Sequence, residues 1–473
     1  MNKKYKELSG NTIIFAIGTF GAKVIMFFMV PLYTNILTAS EYGTADLIQT
    51  ISSLFVPIFS IMIQDAVLRF GLSENINKRS VLKNALFINL IGMLIAIILV
   101  PILTYYKPVE DWTVYLYCIL ITNMLSNVLF SYVKAINKNK LFSLCGILST
   151  FILAGLNVIF LLFFKLGIKG YLLSIIISQL FSCLFLAINI NLYKDLKNIS
   201  INRCLMKEMI LYSLPLIANN LSWWILNSSD KLMVEHYCGS SDLGLYTAAS
   251  KIPALISIIN TIFLQAWTIS SIKDYEKEKD KKFFKNIFRF YSLAMMITTS
   301  FILLIIKNLM NVYVGVDYQA SWRYVPLLLF GTVFYGFSLF FGTIYSAAKK
   351  NMNIAISTAA AALINIFINL ILLGRIGVIA ATISTAISYF AVGVYRMIDS
   401  RRFLRFDINL NFFIVNTILL LCQTIVITLD FHNVLCSVIT IFLLIIINYN
   451  FILDLCHLFI ANIKKYINVK REG

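Results

Sequence analysis

The chain alternates between long apolar stretches and short polar ones over almost its whole length. Most of the apolar stretches exceed the ~18 residues at which an uncharged run is expected to cross a bilayer as a helix. Because a bilayer offers backbone amides no water, such runs must be helical. The pattern predicts an all-α, polytopic membrane protein. Its fourteen stretches are Asn11–Leu37, Ala45–Ala66, Ala85–Tyr105, Trp112–Val133, Leu141–Phe164, Gly170–Leu192, Met209–Ser229, Leu243–Ser270, Phe290–Ile306, Tyr324–Ala347, Met352–Gly374, Ile376–Tyr395, Leu410–Leu429 and Asn433–Leu453.

Positive charge between these stretches alternates from one connection to the next. If the connections are assigned to two sides in turn, one side carries 31 of the 40 Lys and Arg residues and the other carries seven, while two lie inside stretches. Cytoplasmic loops of membrane proteins are enriched in Lys and Arg. The distribution therefore predicts 14 transmembrane helices with both termini cytoplasmic. The net charge of +18 then reflects topology, and nucleic acid is not an expected partner.

Composition argues against several kinds of chemistry. The eight cysteines and three histidines are dispersed and lack the spacing of a metal site. No glycine-rich phosphate loop of the ATPase type is present. The longest connection, Ser271–Arg289, is too short to form a soluble catalytic domain. No metal, no cofactor and no enzymatic activity is expected, although coupling to an H⁺ or Na⁺ gradient remains open.

An internal repeat relates segments 1–6 to segments 7–12. The turn Ser40–Gly43 matches Ser241–Gly244, and the turn Lys165–Ile168 matches Arg375–Val378. Six helices are an even number, so the two copies share one orientation and surround a solute site between them. The repeat predicts two pseudo-symmetric six-helix lobes plus two C-terminal helices. Their predicted bounds are 1–207, 208–397 and, for the last helix pair with the tail, 398–473.

Four charged residues lie inside the apolar segments, namely Lys23, Asp46, Asp65 and Lys251. Each costs about 2.5–3.5 kcal/mol near the bilayer centre, so such residues usually face a bundle interior or a wet cavity. Lys23 lies on the first helix of its lobe, and Lys251 lies on the second helix of the other lobe. Two cations that project into one cavity would bind an anion, and a phosphate is the natural candidate. The alternative is that Lys23 pairs internally with Asp46 or Asp65.

Two further sites are candidates at the ends of segments. Arg69 ends segment 2 on the cytoplasmic side, where it would either draw in an anionic headgroup or serve as a topological anchor. Asp230 and Lys231 end segment 7 on the outer side, where they would form a local gating pair or a helix cap. The predicted cavity and gating carboxylates are therefore Asp46, Asp65 and Asp230.

Several short motifs, in this order and at these topological positions, resemble one known family. They are Pro31-Leu32-Tyr33, Ser40-Glu41-Tyr42-Gly43 with Asp46, Ala66-Val67-Leu68-Arg69-Phe70, Tyr212-Ser213-Leu214-Pro215-Leu216, Ser229-Asp230-Lys231 and Leu243-Gly244-Leu245-Tyr246. With these motifs the chain is similar to the polysaccharide transporter branch of the multidrug/oligosaccharidyl-lipid/polysaccharide exporter superfamily, the bacterial flippases of lipid-linked oligosaccharide repeat units.

The resemblance implies a function and a location. It implies export of an undecaprenyl-pyrophosphate-linked oligosaccharide from the inner to the outer leaflet of a bacterial cytoplasmic membrane, for O-antigen or capsule assembly. Cationic residues on helices 1, 2 and 8 contact the diphosphate in similar flippases, which suits Lys23, Arg69 and Lys251. Membrane lipids, and a polysaccharide polymerase with its chain-length machinery, are the implied partners.

Two other functions remain open at this point. A drug/cation antiporter of the sister branch usually has twelve helices and an acidic cation site. A polysaccharide polymerase or ligase usually has a large extracytoplasmic loop with catalytic residues, which this chain lacks. The fourteen segments and the two lysines that lie inside them favour the flippase.

Overall fold

The computed structural model describes residues 21–73, 75–99, 107–192, 201–277, 281–348, 350–431, 433–451 and 453. Over these residues the chain is helical and contains no strand. Short 3₁₀ segments span Lys107–Trp112, Val316–Tyr324 and Ser400–Arg402, and a π-helical turn spans Ile159–Phe163. The helices are α1 Gly21–Ile36, α2 Ala39–Phe59, α3 Ile63–Gly71, α4 Lys78–Ile98, α5 Thr113–Ala135, α6 Asn139–Val158, α7 Gly167–Asn189, α8 Arg203–Cys238, α9 Ser240–Lys277, α10 Lys281–Tyr313, α11 Val325–Ala347, α12 Asn351–Ile376, α13 Ile379–Asp399, α14 Leu410–Thr428 and α15 Asn433–Ile447.

The predicted all-α, multi-pass architecture is confirmed. Among the described residues, ten helices are long and apolar enough to cross a membrane, or eleven if α2 and α3 count as one bent span. The described part of α1 and the apolar part of α15 are shorter than a full span. The count of fourteen and the side of the termini stay predictions, since residues 1–20 and 454–473 lie outside the described part.

Segment 2 is not the single continuous helix that its hydropathy predicts. It is divided into α2 and α3, which meet at an angle of 55°. Ile61 and Met62 both have φ of 52° at the break, a left-handed conformation that L-residues rarely adopt. Pro57 lies just before the break and donates no backbone hydrogen bond. Asp65 and Arg69 consequently lie on a separate short helix, which points away from the axis of α2.

The helices form two bundles, which we call the N-terminal bundle (α1–α7) and the C-terminal bundle (α8–α13). The bundles meet mainly where α2 packs along α9 and α8. The first half of α8 also packs against α3 and α4 of the N-terminal bundle. The exact lobe boundaries predicted from the sequence repeat stay predictions.

The repeated glycine motif lies at the contact between the bundles. Gly43 and Gly244, expected in turns between helices, instead lie in the first turns of α2 and α9. A Cβ atom on Gly43 would lie 2.0 Å from the Ser240 carbonyl oxygen, and one on Gly244 would lie 1.9 Å from that of Ala39. Both positions require glycine because the two backbones approach without room for a side chain.

The structure corrects the assignment of Arg396 to a cytoplasmic connection. Its position after segment 12 placed it in a cytoplasmic loop, yet it lies within α13 and is only 1% exposed. Its guanidinium donates to the hydroxyls of Ser357 and Thr358 at 2.9 and 2.7 Å. It also donates to the backbone oxygens of Ser338 and Ile354. Arg396 therefore ties α11, α12 and α13 together inside the C-terminal bundle.

The last two helices pack against the C-terminal bundle. α14 contacts α10 and α11, and α15 contacts α10 and α14. Both expose large apolar side chains, such as Ile418, Leu435 and Phe442, as expected of a surface that faces lipid.

Candidate functional site

A cavity of about 390 Å³ lies between the two bundles, and we call it the central cavity. Its volume falls in the usual range of ~300–1,000 Å³ for ligand-binding pockets. α1 contributes Lys23 to the wall and α9 contributes Lys251, so the two predicted cations line one space from opposite bundles. Lys23 is exposed and Lys251 is partly buried. The rest of the wall is aromatic or aliphatic apart from the hydroxyl of Ser257 and those of the tyrosines.

Three tyrosines form the aromatic part of this wall. Tyr33 of α1, Tyr42 of α2 and Tyr171 of α7 pack together, and the Tyr33 and Tyr171 rings meet edge to face with centroids 4.9 Å apart. The ammonium group of Lys251 lies 5.8 Å from the centroid of the Tyr42 ring. This distance is within reach of a cation–π attraction, which orients the lysine across the boundary between the bundles.

Asp46 joins the two bundles beside the cavity. Its carboxylate, on α2, lies 2.7 Å from the Lys231 ammonium group on α8. It also accepts a 3.0 Å hydrogen bond from the Thr247 hydroxyl on α9. Lys251 is close enough to interact electrostatically with both Asp46 and Lys231. Among the described residues, the charged side chains that line the cavity are thus Lys23 and Lys251, with the Lys231–Asp46 pair nearby, which leaves the site cationic.

The bundles are closed at one end, which we call the closed end and which is the outer end in the predicted topology. There, Tyr318 donates a 2.9 Å hydrogen bond to the Leu37 carbonyl, and the Gly315 amide donates a 3.1 Å bond to the Thr34 hydroxyl. Tyr42 both lines the cavity and contacts the Tyr318 ring. The closed end therefore forms one wall of the central cavity.

Asp230 points into the C-terminal bundle rather than toward its neighbour Lys231. It accepts hydrogen bonds from Tyr246 at 3.1 Å, from Asn369 at 2.5 Å and from Thr385. Among the described residues, no basic side chain pairs with it. It is 3% exposed and lines a second cavity of about 220 Å³, which shares Ala254 and Ser257 with the central cavity. The predicted Asp230–Lys231 pair is thus replaced by two different interactions.

The other predicted site residues lie away from this cluster. Asp65 lies near Lys134 of α5 and interacts with it electrostatically. Arg69 is exposed at the end of α3 and does not line the central cavity. Within the described part of the chain, neither Asp46 nor Asp65 forms an ion pair with Lys23, so the internal pairing considered for Lys23 is not found.

Sequence reasoning missed the neutral polar residues. Buried amides such as Asn157, Asn365 and Asn369 lie in apolar segments, and only the charged residues there were treated as costly. An amide without a partner is also costly in hydrocarbon, so the buried Asn and Gln residues were a usable signal. The pairing of Lys231 with Asp46 was missed because the two residues lie far apart in sequence.

The sequence matches two protein families. Residues 8–268, more than half of the chain, match the family described as polysaccharide biosynthesis protein. The chain belongs to this family. Residues 215–371 also match the MatE family. Among curated proteins, none matches the sequence significantly.

Solved structures of other membrane transporters share the fold of this chain. A lipid II flippase, MurJ, in an inward closed conformation aligns with a TM-score of 0.70 at 16% identity, covering 93% of this chain and 100% of that one. A multidrug resistance MATE family transporter in an inward-facing conformation aligns with a TM-score of 0.62 at 16% identity, covering 80% and 97%. The predicted membership of the multidrug/oligosaccharidyl-lipid/polysaccharide exporter superfamily is confirmed. At this identity the likeness shows the fold alone.

Proposed function

We propose that this protein is a flippase that moves a polyprenyl-diphosphate-linked oligosaccharide across a bacterial cytoplasmic membrane by alternating access. One observation carries the proposal, namely that Lys23 and Lys251 line one cavity from opposite bundles. A diphosphate cannot cross hydrocarbon unaided, because transfer of an unpaired charge out of water is very unfavourable. Two ammonium groups in a partly apolar cavity replace part of its hydration.

The polyprenyl chain itself needs no enclosed path. Its apolar surface is stable in the bilayer, so only the headgroup must pass between the bundles. Undecaprenyl-pyrophosphate-linked repeat units for O-antigen or capsule are the substrates we propose, and a polysaccharide polymerase would receive them on the outer side. The polysaccharide biosynthesis family to which the chain belongs supports this class of cargo.

A drug/cation antiporter is the alternative from the same superfamily. Organic cations would have to enter a cavity lined by Lys23 and Lys251, while the nearby Asp46 carboxylate is already paired with Lys231. Like charges repel strongly where water is scarce, so an anionic cargo suits this wall better.

We also propose that transport is coupled to a gradient of H⁺ or Na⁺ at Asp230. Among the described residues, no group of three or more His, Cys, Asp or Glu side chains could hold a metal ion, so tight metal binding is not proposed. Asp230 is a buried carboxylate whose partners are neutral hydroxyl and amide groups. A carboxylate in such a setting gains a counter-charge by taking up a proton or a hard cation, which oxygen atoms prefer to bind.

Transport in proteoliposomes tests the function directly. A short-chain fluorescent polyprenyl diphosphate that carries a disaccharide is placed in both leaflets, and a membrane-impermeant quencher reports its movement. We expect Lys23→Ala and Lys251→Ala each to reduce the rate at least about tenfold, which corresponds to about 1.4 kcal/mol. Lys307→Ala is the matched control, because Lys307 pairs with Asp430 outside the cavity.

Each outcome of this experiment has a clear meaning. Unchanged rates in both cavity variants would exclude the cationic cavity as the path of the diphosphate. Export of ethidium, with no movement of the lipid-linked probe, would identify the antiporter instead. Restored surface glycan in a flippase-deficient strain, lost again in Lys23→Ala, would support the function in cells.

A further inference from the structure

A third cavity, in the N-terminal bundle, opens beside the central cavity, and we call it the side chamber. Its volume is about 220 Å³, and it shares Met26, Tyr33 and Tyr171 with the central cavity. The two spaces are therefore neighbours, separated by these side chains. Besides the two tyrosines, its polar lining consists of Gln49, Ser149, Thr150, Asn157, Ser178 and Gln179.

Among the residues that the structure describes, the polar lining of the side chamber contains no charged side chain. Its groups are amides and hydroxyls supplied by α1, α2, α6 and α7. The corresponding cavity in the C-terminal bundle contains Asp230. The two cavities beside the central one therefore differ in electrostatics, since one is neutral and the other carries a carboxylate.

Two polar atoms of the side chamber have no partner within the described part of the chain. Asn157 is fully buried, and its side-chain oxygen accepts no hydrogen bond. Tyr33 is 2% exposed, and its hydroxyl is likewise unpaired. A buried polar atom without a partner costs about 1–3 kcal/mol, so such atoms are few in folded proteins and call for an explanation. A ligand with hydrogen-bonding groups would satisfy both atoms.

The local backbone supports a binding role for Asn157. α6 ends one residue later, and the chain continues as a π-helical turn over Ile159–Phe163. Single π-helical turns within α-helices occur frequently at functional sites, and this one extends the last turn of α6. Here the irregular turn lies next to the unpaired amide.

We propose that the side chamber binds one uncharged sugar of the lipid-linked substrate, rich in hydroxyl and amide groups and adjacent to the diphosphate. This inference rests on the proposed flippase function. The diphosphate would lie in the central cavity, and Tyr33 and Tyr171, which border both spaces, would contact the sugar ring. Asn157 would accept a hydrogen bond from a hydroxyl or amide of the sugar. A sugar carboxylate would be buried there without a cation, which is strongly unfavourable.

Binding measurements on the detergent-solubilised full-length protein test this inference with three probes. They are a short polyprenyl diphosphate without sugar, the same lipid carrying N-acetylglucosamine, and the same lipid carrying glucuronic acid. We expect the N-acetylglucosamine probe to bind about tenfold more tightly than the sugar-free lipid. The glucuronic acid probe should show no such gain.

Two variants test whether the gain in affinity from N-acetylglucosamine arises in the side chamber. Tyr33→Phe removes only a hydroxyl that has no partner, so the thermal unfolding midpoint should not fall. It should reduce several-fold the ratio between the affinities for the N-acetylglucosamine lipid and for the sugar-free lipid. Asn157→Leu should abolish the gain. Asn448→Leu is the matched control, since Asn448 is a buried amide on the far side of the fold that contacts Asn416.

The outcomes separate this inference from the proposed function. If wild-type protein binds the sugar-free and N-acetylglucosamine lipids equally, the side chamber holds no sugar, although the flippase proposal stands. The same conclusion follows if Tyr33→Phe and Asn157→Leu leave the gain in affinity intact. It also follows if they lower the affinities for the sugar-free and N-acetylglucosamine lipids equally. If wild-type protein binds none of the diphosphate lipids, the proposed function itself fails.

Discussion

The Thr247 hydroxyl donates a 3.0 Å hydrogen bond to the Asp46 carboxylate, and the two residues are separated by 201 positions. The same offset relates Gly43 to Gly244, which also meet at the contact between the bundles. Equivalent positions of the repeat therefore touch each other, as they must next to a pseudo-twofold axis. The position equivalent to Asp46 in the other bundle is Thr247, which has no carboxylate. The Asp46 carboxylate can therefore accept hydrogen bonds from both Thr247 and Lys231 of the other bundle.

Removal of Lys231 should open the closed end. The pair with Asp46 is mostly buried, and the loss of one partner from a buried pair costs about 3–5 kcal/mol. Spin labels at Ser40→Cys and Val316→Cys, in a background without native cysteines, measure the distance across this end. Both positions are exposed and lie on opposite sides of the contact.

We expect Lys231→Ala to shift the distance distribution toward longer values. Lys285→Ala serves as the control, because it breaks an ion pair with Asp407 that lies outside the contact between the bundles. An identical distribution in Lys231→Ala and the control would show that this ion pair does not hold the end closed.

Alanine at Gly43 or Gly244 should destabilise the protein. In an ordinary helix this change is stabilising by about 0.5–1 kcal/mol, but here the new Cβ atom would overlap a backbone oxygen of the other bundle. We expect a thermal unfolding midpoint several degrees lower for Gly43→Ala. Gly155→Ala is the control, because a Cβ atom there meets nothing within 4 Å. A midpoint for Gly43→Ala equal to or above that of the control would contradict the close approach.

Asp230→Asn should uncouple transport from the ion gradient. The change preserves shape and most hydrogen bonds but removes the charge that we propose attracts H⁺ or Na⁺. In proteoliposomes, we expect the variant to bind the sugar-bearing diphosphate lipid normally while its transport rate no longer responds to an imposed gradient. Asp111→Asn, at an exposed position, should retain the response. A gradient response in Asp230→Asn equal to wild type would exclude Asp230 as the coupling site.

Arg396→Lys should be more damaging than Arg396→Met. Lysine would keep a buried charge but lose the planar set of donors that reaches Ser357, Thr358 and two backbone oxygens. Methionine fills a similar volume without a buried charge, and such replacements are often close to neutral. Unfolding midpoints of both variants test this order, and Arg402→Lys at an exposed site should change little. A lower midpoint for Arg396→Met than for Arg396→Lys would show that the charge itself is needed.

The sequence predicted the helices well because hydropathy reports directly on contact with lipid. It also predicted Lys23 and Lys251 as cavity residues, since a cation in an apolar segment needs a polar surrounding. That both line one space is a property of the structure; their role as anion ligands stays a prediction.

Other features depend on distant contacts and could not be predicted. The partner of Lys231 is 185 positions away, and nothing local indicates that α2 and α8 meet there. The break at Ile61 and Met62 involves residues that favour regular structure, so their left-handed conformation has no local signal. Arg396 was misplaced because a basic residue near a helix end looks the same in sequence whether it faces water or the bundle.

The attachment of the final helix pair has a practical consequence for following transport. Lys285 and Lys307 pair with Asp407 and Asp430 near opposite ends of α10, and Ser300 donates to Gln423 between them. These three contacts are spaced along α10 and hold α14 against it. If transport proceeds by the proposed alternating access, a fluorophore on α14 would consequently report the movement of the C-terminal bundle from a lipid-facing position, away from the central cavity.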